Sequence, residues 1–279
     1  MKKNQHGSKL TQLDESKFFE EDSLWADIIS ECQVCLKEER LLENFLRTAI
    51  FNQDSLEDAL SWILAEHLKS NTISHDSLRL IIREVLFSDN TVRKQVRMDL
   101  IAYIERDPAC DKYHLPLLYF KGFHALQTHR VSHILWKKNR KNLALYIQNR
   151  ASEVFSVDIH PAAKIGGGIM IDHATGLVIG ETTVIDDNVS LLHSVTLGGT
   201  GLGADDRHPK IRSGVMIAAG VKILGNIEIG TGAKVGAGSL VLEPVPPHTT
   251  VAGVPSKIVG CPEEEEPSRE MNQAIITNS

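Results

Sequence analysis

The second half of the chain carries an aliphatic residue at every sixth position. Thr183 is the one polar member of this series, which comprises Ile159, Ile165, Ile171, Leu177, Thr183, Val189, Val195, Ile211, Ile217, Ile223, Ile229, Val235 and Val241. A period of six fits neither an α-helix nor an array of hairpins, and it predicts a parallel β-helix in which three six-residue units make one coil. The sixteen residues from Val195 to Ile211 then equal one repeat plus a ten-residue insertion. A solenoid tolerates such a loop at a corner, because the stacked core is undisturbed there.

The first half of the chain has the hydrophobic spacing of helices. One predicted helix starts at the capping-box-like Ser55–Asp58 and another ends at Asp107-Pro108. Gly7 and Gly122 are the only glycines before residue 160, and all the others follow it. Because helices exclude glycine and tight turns require it, this shift in composition marks a domain boundary.

We therefore predict an α+β protein with an N-terminal all-α helical domain followed by a β-helix. The predicted boundaries are 1–156 for the helical domain, with 1–15 disordered, 157–260 for the β-helix, with a loop insertion near 199–210, and 261–279 for a flexible acidic tail.

Composition narrows the function classes. The net charge of −6 and the pI near 6.1 give no basic surface for a nucleic acid. Apolar runs are too short to span a bilayer, and the residues after the basic start lack the apolar core of a secretion signal. We expect a cytoplasmic protein with neither nucleic-acid nor membrane partners.

Two motifs in the helical half suggest chemistry but have simpler interpretations. Cys32 and Cys35 form a C-x-x-C pair, yet Cys32 falls on the buried stripe of a predicted helix, which disfavours a redox site. His129 and His133 have metal-ligand spacing on a helix that also holds His124, but no third ligand is obvious, so a polar helix face is favoured.

Polar residues that interrupt the repeats are the candidates for catalysis. Asp158 precedes an inward isoleucine, and Asp172 and His173 follow another, so these side chains are expected at neighbouring coils. A histidine near a carboxylate is the arrangement that a general base requires. Arg207 and His208, on the inserted loop, suit the recognition of a carboxylate.

Several of these segments resemble one enzyme family. They are VDIHPAAKIGGGIMIDHATGLVIGETTVI, SVTLGGTG, DRHPKI, PPHTTVAGVPSKIVG and, in the helical half, RDPACDKYHLPLLYFKGFHALQTHR. Together they resemble the serine O-acetyltransferases, bacterial enzymes that open cysteine biosynthesis. The likeness runs from about residue 20 to residue 262, and DHATG with DRHPKI is specific to this family.

The resemblance implies a left-handed β-helix and transfer of acetyl from acetyl-CoA to the hydroxyl of L-serine, with no metal. It assigns His173 as general base and Asp158 as its orienting partner. The implied substrate-binding residues are Asp107 and Asp172 for the ammonium, Arg207 and His208 for the carboxylate, and Glu181 near the site. The implied acetyl-CoA-binding residues are Gly199, Ala219, Ala237 and Lys257. His193 stands where the family often has glutamine, and we assign it no role.

The resemblance also implies partners. It suggests a homotrimer or a dimer of trimers, and L-cysteine as a feedback inhibitor that competes with serine. In this family a C-terminal isoleucine often docks in a sulfhydrylase, but this sequence reads Asn278-Ser279 at its end. We therefore expect docking to be weak or absent.

Three alternatives remain open at this point. One is an acetyltransferase for a different hydroxyl acceptor, and another is a non-catalytic β-helix scaffold. The third is a metal hydratase using three of the imidazoles of His160, His173, His193 and His208. It is disfavoured because their spacing does not repeat by coil and Arg207 would repel a cation.

Overall fold

The structure is a computed structural model that describes residues 23–201 and 205–275, and it opens with a helical region. Its helices are α1 (Ser23–Glu38), α2 (Glu43–Leu46), α3 (Leu56–Leu68), α4 (His75–Ser88), α5 (Asn90–Arg106), α6 (His114–Tyr119), α7 (Lys121–Lys137) and α8 (Lys141–Phe155). A 3₁₀ turn (Arg40–Leu42) and a π-helical turn (Arg47–Phe51) flank α2. Ser55 Oγ accepts a hydrogen bond from Asp58 N at 3.2 Å, so α3 has the predicted cap.

Short strands follow α8 and coil into a three-sided prism. They are β1 (Val157–Ile159), β2 (Lys164–Ile165), β3 (Met170–Ile171), β4 (Leu177–Ile179), β5 (Val184–Ile185), β6 (Ser190–Leu191), β7 (Thr196–Gly198), β8 (Lys210–Ile211), β9 (Met216–Ile217), β10 (Lys222–Leu224), β11 (Glu228–Ile229), β12 (Lys234–Val235), β13 (Leu240–Val241), β14 (Thr250–Gly253) and β15 (Ser256–Gly260). Each strand from β1 to β10 pairs in parallel with the strand three positions on, and β12 pairs in parallel with β14; only the β14–β15 pair among those described is antiparallel.

The three faces of the prism are named here by their strands. Sheet A contains β1, β4, β7, β10 and β13, sheet B contains β2, β5, β8 and β11, and sheet C contains β3, β6, β9, β12, β14 and β15. The fold class therefore matches the prediction of a helical region followed by a parallel β-helix.

The strand register corrects the predicted repeat at two places. Val157 pairs with Leu177, twenty residues on, whereas Val178 pairs with Thr196, eighteen residues on. The first coil thus holds two extra residues, which lie in the turn between β3 and β4. The inward row that contains Ile171 continues at Ile179 after this turn. The six-residue series instead continues at Leu177, which belongs to a second row two positions earlier, and both rows are buried.

The same correction shortens the predicted loop. Leu197 and Ile211 occupy equivalent inward positions in β7 and β8 and are fourteen residues apart. The insertion there is eight residues rather than ten. Residues 202–204 of this loop lie outside the described part of the chain.

The helical region packs against the prism through contacts with the backbone of β3. Tyr103 Oη donates to Ile171 O at 2.8 Å and accepts from Ile171 N at 3.2 Å. A Cβ atom at Gly122 would lie only 2.0 Å from Ile171 O, so only glycine permits the start of α7 to approach this closely. One helical turn before Tyr103, the buried Asp99 accepts from Ile169 N, directly before β3, and pairs with Arg130 at 2.7 Å.

The acidic segment after the prism makes specific contacts where a flexible tail was expected. It contains α9 (Pro267–Glu270), and Pro267 and Ser268 are buried. Ser268 Oγ donates to Asn188 O at 2.6 Å, and Lys234 Nζ donates to Ala274 O at 2.6 Å. A buried lysine in sheet C needs an acceptor, which this segment supplies. The predicted disorder of 1–15 and the chain end at 276–279 lie outside the described residues.

The two motifs set aside in the helical half are part of its interior. Cys32 is buried in α1, and burial raises the pKa of its thiol to about 12. His124 and His129 are buried rather than on a solvated polar face, and burial lowers the pKa of His124 to about 3. Within the described ranges, no three His, Cys, Asp or Glu side chains group as metal ligands would.

Candidate active site

The two extra residues of the first coil form the turn that carries His173. His173 and Ala174 both adopt left-handed backbone conformations, with φ of 57° and 58°. Such angles are unfavourable for residues other than glycine and persist only where the surroundings hold them. Here Gly176 N donates to Ser156 O at 2.8 Å, and Ser194 N donates to Thr175 O at 2.8 Å. The result is that the His173 side chain points outward and is 73% exposed.

Two carboxylates lie beside this turn. Asp172 Oδ2 is 3.5 Å from His173 Nε2, and Asp172 and Asp107 line one cavity of about 440 Å³ together with His173 and Lys121. Burial and the neighbouring Asp107 carboxylate raise the pKa of Asp172 above its ordinary value, although the nearby His173 acts in the opposite direction. The cavity therefore holds converging negative charge next to a titratable imidazole.

His193 is a second imidazole at the same corner. Its ring centroid lies 5.8 Å from that of His173, in an edge-to-face arrangement. Its Nδ1 is buried and makes no hydrogen bond to any described residue. The structure thus brings His193 next to the predicted base, where sequence analysis assigned it no role.

Arg207 and His208 are anchored on the neighbouring corner by Glu181 and Thr182. Arg207 Nη2 donates to Glu181 Oε2 at 2.7 Å, and both the Arg207 and the His208 backbone N–H groups donate to Thr182 Oγ1. Thr182 N donates to His208 Nδ1 at 3.2 Å, so the imidazole proton is assigned to Nε2. Burial and the Arg207 charge lower the pKa of His208, and the Arg207 hydrogen bond lowers the pKa of Glu181.

Asp158 is not paired with His173 within the chain. Its Oδ1 accepts a hydrogen bond from Gln148 Nε2 at 2.6 Å, and no hydrogen bond or ion pair among the described residues joins it to His173. The predicted site residues consequently form two groups. Asp107, Asp172 and His173 share the corner between sheets C and A, here called the C–A corner. Arg207, His208 and Glu181 share the corner between sheets A and B, the A–B corner.

The residues proposed for acetyl-CoA divide in the same way. Gly220 N donates to His193 O and Gly238 N donates to Ala219 O, so Ala219 and Ala237 continue the C–A corner beyond His193, one coil at a time. Gly199 instead lies at the A–B corner against Arg207. Lys257 is exposed on β15, at the far end of sheet C.

Comparison with known proteins accounts for this combination of a helical region and a prism. The family model described as "Serine acetyltransferase, N-terminal" matches residues 24–128, and "Bacterial transferase hexapeptide (six repeats)" matches residues 208–243. A serine acetyltransferase of Salmonella typhimurium is 54% identical over 250 residues, which are 90% of this chain and 92% of that protein. The chain belongs to the serine acetyltransferase family.

Solved structures of serine acetyltransferases have the same fold. That of Vibrio cholerae superposes with a TM-score of 0.89 at 52% identity, covering 90% of this chain and 98% of that one. A Brucella abortus serine acetyltransferase in complex with coenzyme A gives 0.85 at 50% identity, covering 86% and 96%. A serine acetyltransferase in complex with cysteine gives 0.89 at 50% identity, covering 91% and 99%. These matches confirm the predicted family and fold.

The sequence did not predict the residues that hold the proposed site residues in place through hydrogen bonds. Gln148 and Thr182 hold Asp158 and the Arg207 loop, but nothing in the repeat pattern distinguishes either. Gly122 did carry a signal, because it is an isolated glycine in a helical stretch and such glycines mark close packing.

Proposed function

We propose that this protein transfers the acetyl group of acetyl-CoA to the hydroxyl of L-serine, giving O-acetyl-L-serine and CoA. The observation that carries the proposal is the turn at the C–A corner. It presents an exposed imidazole, His173, beside a cavity lined by Asp107 and Asp172. Serine acetyltransferase relatives at about half identity over most of the chain support the same reaction.

His173 acts as general base in this mechanism. Serine is a weak nucleophile at neutral pH, and a positioned base contributes about 10²–10⁴-fold to such reactions. As the imidazole takes the hydroxyl proton, the serine oxygen attacks the thioester carbonyl. The tetrahedral intermediate then collapses with cleavage of the C–S bond, and the imidazolium returns its proton to the departing CoA sulfur.

The two corners recognise opposite ends of the serine zwitterion. Asp107 and Asp172 supply the negative charge that an ammonium group needs. Arg207 supplies a guanidinium and His208 an Nε2–H donor for the carboxylate, because the Nδ1 atom of His208 is occupied by Thr182. Glu181 holds Arg207 in place.

The complete site forms between two copies of the chain. On one chain, the base and the ammonium-binding carboxylates lie at the C–A corner, whereas the carboxylate-binding cations lie at the A–B corner. A trimer with threefold symmetry brings the C–A corner of each copy against the A–B corner of the next. Asp158, which does not contact His173 on its own chain, would then orient the neighbour's imidazole. A dimer of such trimers remains a prediction.

Acetyl-CoA lies along the C–A corner in this proposal. Ala219 and Ala237 follow His193 on successive coils, and their small side chains leave a groove that starts at the base. Lys257 would face the phosphates, and Gly199 on the A–B corner would contact the cofactor from the neighbouring copy. The relative in complex with coenzyme A supports this co-substrate.

L-Cysteine is the expected feedback inhibitor. It differs from serine by one atom and would use the same ammonium and carboxylate contacts, and the relative in complex with cysteine supports such binding.

We place the reaction in the cytoplasm. Among the described residues no helix is long and apolar enough to cross a membrane. Weak docking to a sulfhydrylase stays a prediction, since residues 276–279 lie outside the described chain.

An acceptor panel tests the proposed reaction. Purified protein is incubated with acetyl-CoA and with L-serine, L-homoserine, L-threonine, a hexose or no acceptor, and thiol release is followed. We expect rapid release with L-serine only. Faster release with a sugar would favour the alternative acceptor class, and no release with any acceptor would favour a scaffold.

A further inference from the structure

A second cleft lies between the helical region and sheet B, away from both corners of the proposed active site. It has a volume of about 520 Å³, within the range of small-molecule sites. The first turns of α5 and the C-terminal half of α7 form one wall, and β2, β5 and the turn after β5 form the other. None of the residues proposed for acetyl transfer lines it.

Two lysines face this cleft from its opposite walls. Lys137 ends α7, and Lys164 begins β2. Both side chains are exposed, and among the residues that the structure describes neither ammonium group has an ion pair or a hydrogen bond. Two unpaired cations on one cavity attract a common counter-charge.

The carboxylates of the same cleft are already engaged. Asp89 caps α5 by accepting from the N–H groups of its first turn, at 2.9 and 3.3 Å. Asp186 lies 3.5 Å from the guanidinium of Arg212, and Asp187 accepts from Gly167 N at 2.7 Å. Each of these carboxylates thus has a hydrogen-bond or ion-pair partner, whereas among the described residues neither lysine ammonium group has one.

Two histidines line the same cleft between these lysines and Arg130. His133 Nδ1 donates to Pro161 O at 2.7 Å, and the charges of Lys137, Arg130 and Lys164 add to burial in lowering the pKa of His133. His129 is 4% exposed, and its Nδ1 makes no hydrogen bond to any described residue. A buried polar atom without a partner is costly, and it is satisfied when a ligand or water occupies the space beside it.

We propose that this cleft binds a small molecule through a dianionic oxyanion group, a phosphate or a sulfate, held between Lys137 and Lys164. Lysine binds such groups as a point charge, without demanding a fixed geometry. Because one lysine belongs to the helical region and the other to the prism, the bound anion ties the two together. Occupancy therefore stabilises the folded protein in proportion to ligand concentration.

Thermal unfolding of the full chain with inorganic phosphate or inorganic sulfate tests this site. Sodium chloride keeps the ionic strength constant, and saturating coenzyme A prevents the probes from acting through the acetyl-CoA groove. We expect either oxyanion to raise Tm in a saturable manner. Lys137→Gln and Lys164→Gln should each weaken the affinity about 5- to 10-fold, as for a lost charge-assisted contact. Lys37→Gln, the same change on exposed α1, should alter it less than about twofold.

Three results would overturn the proposal. They are a Tm that responds no more to phosphate and sulfate than to chloride, an equal response in all three variants, and a non-saturable rise. Isothermal titration of phosphate at a temperature well below Tm gives the affinity independently, in case a cleft variant is less stable. The acceptor panel does not depend on this cleft, so failure of either idea is visible separately.

Discussion

The Asp172–Thr175 turn and the Arg207-His208 loop both interrupt the hexapeptide repeat, but the chain holds them by different means. The turn adds two residues and is fixed through its backbone, which leaves the His173 side chain 73% exposed. The loop adds eight residues and is fixed through side chains, since Thr182 and Glu181 bind Arg207 and His208. Arg207 and His208 are thus held by contacts within the chain, whereas the His173 side chain projects outward, and in our proposal it meets groups of a neighbouring copy.

The largest expected effect is the loss of the base. His173→Ala should lower kcat by about 10²–10⁴-fold, because only the proton transfer is removed. The side chain lies off the core, so Tm and the oligomeric state should stay unchanged. Steady-state kinetics with a thiol-release assay, together with sedimentation, measures both.

His193→Gln is the matched control, since it changes the adjacent imidazole at the same corner. It should lower kcat far less than His173→Ala does. Near-normal turnover by His173→Ala, or equal losses in the two variants, would falsify the assignment of His173 as the base.

Removing the cation of the A–B corner should act on binding. Arg207→Ala is expected to raise the KM for serine and the inhibition constant of cysteine together, each about 10- to 100-fold, by removing a charge-assisted contact. Initial rates over a grid of serine and cysteine concentrations give both constants. If cysteine inhibition were unaffected while the KM for serine rose, the two amino acids would not share a site.

Mixing the two variants tests whether the corners meet between copies. His173→Ala and Arg207→Ala chains, unfolded together at equal amounts and refolded, should form mixed trimers. About a quarter of the sites then pair an intact C–A corner with an intact A–B corner, and activity should recover to roughly that fraction of wild type. Separately refolded variants mixed afterwards are the control. Recovery no greater than in that control would place both corners of one site on the same chain.

The fold could be predicted from the sequence because each inward residue of a β-helix repeats its neighbour's environment. The long series from Ile159 to Val241 therefore indicated the coils and the site of the inserted loop. The two-residue shift at His173 was hidden, since the prism has two buried rows and the series passed from one row to the other without a break. Leu177 and Val195 belong to the second row and are buried, as are Ile179 and Leu197 of the first row.

Sequence motifs could propose individual site residues but not their arrangement in space. The motifs propose Asp172, His173, Arg207 and His208 as site residues, but their separation on two corners depends on the path of the coils. Spacing alone also placed Asp158 on a coil next to His173, which is compatible with a contact within or between chains. Tyr103 and Gly122 support the turn through contacts that span tens of residues, and short motifs carry no trace of such pairs.

The smallest expected effect concerns the charge at the C–A corner. Burial and Asp107 raise the pKa of Asp172, so the folded state holds this proton more tightly than the unfolded state. The ionised carboxylate therefore destabilises the fold at neutral pH, and this cost is relieved as the pH falls through the raised pKa towards the ordinary one. Asp172→Asn should consequently raise Tm slightly at pH 7 while it raises the KM for serine. Asp111→Asn, which removes an exposed carboxylate between α5 and α6, is the control and should change neither. Thermal unfolding at pH 5 and pH 7 measures the difference, which should be smaller at pH 5. A lower Tm for Asp172→Asn at both pH values would show that hydrogen bonding of this carboxylate to the turn outweighs its burial.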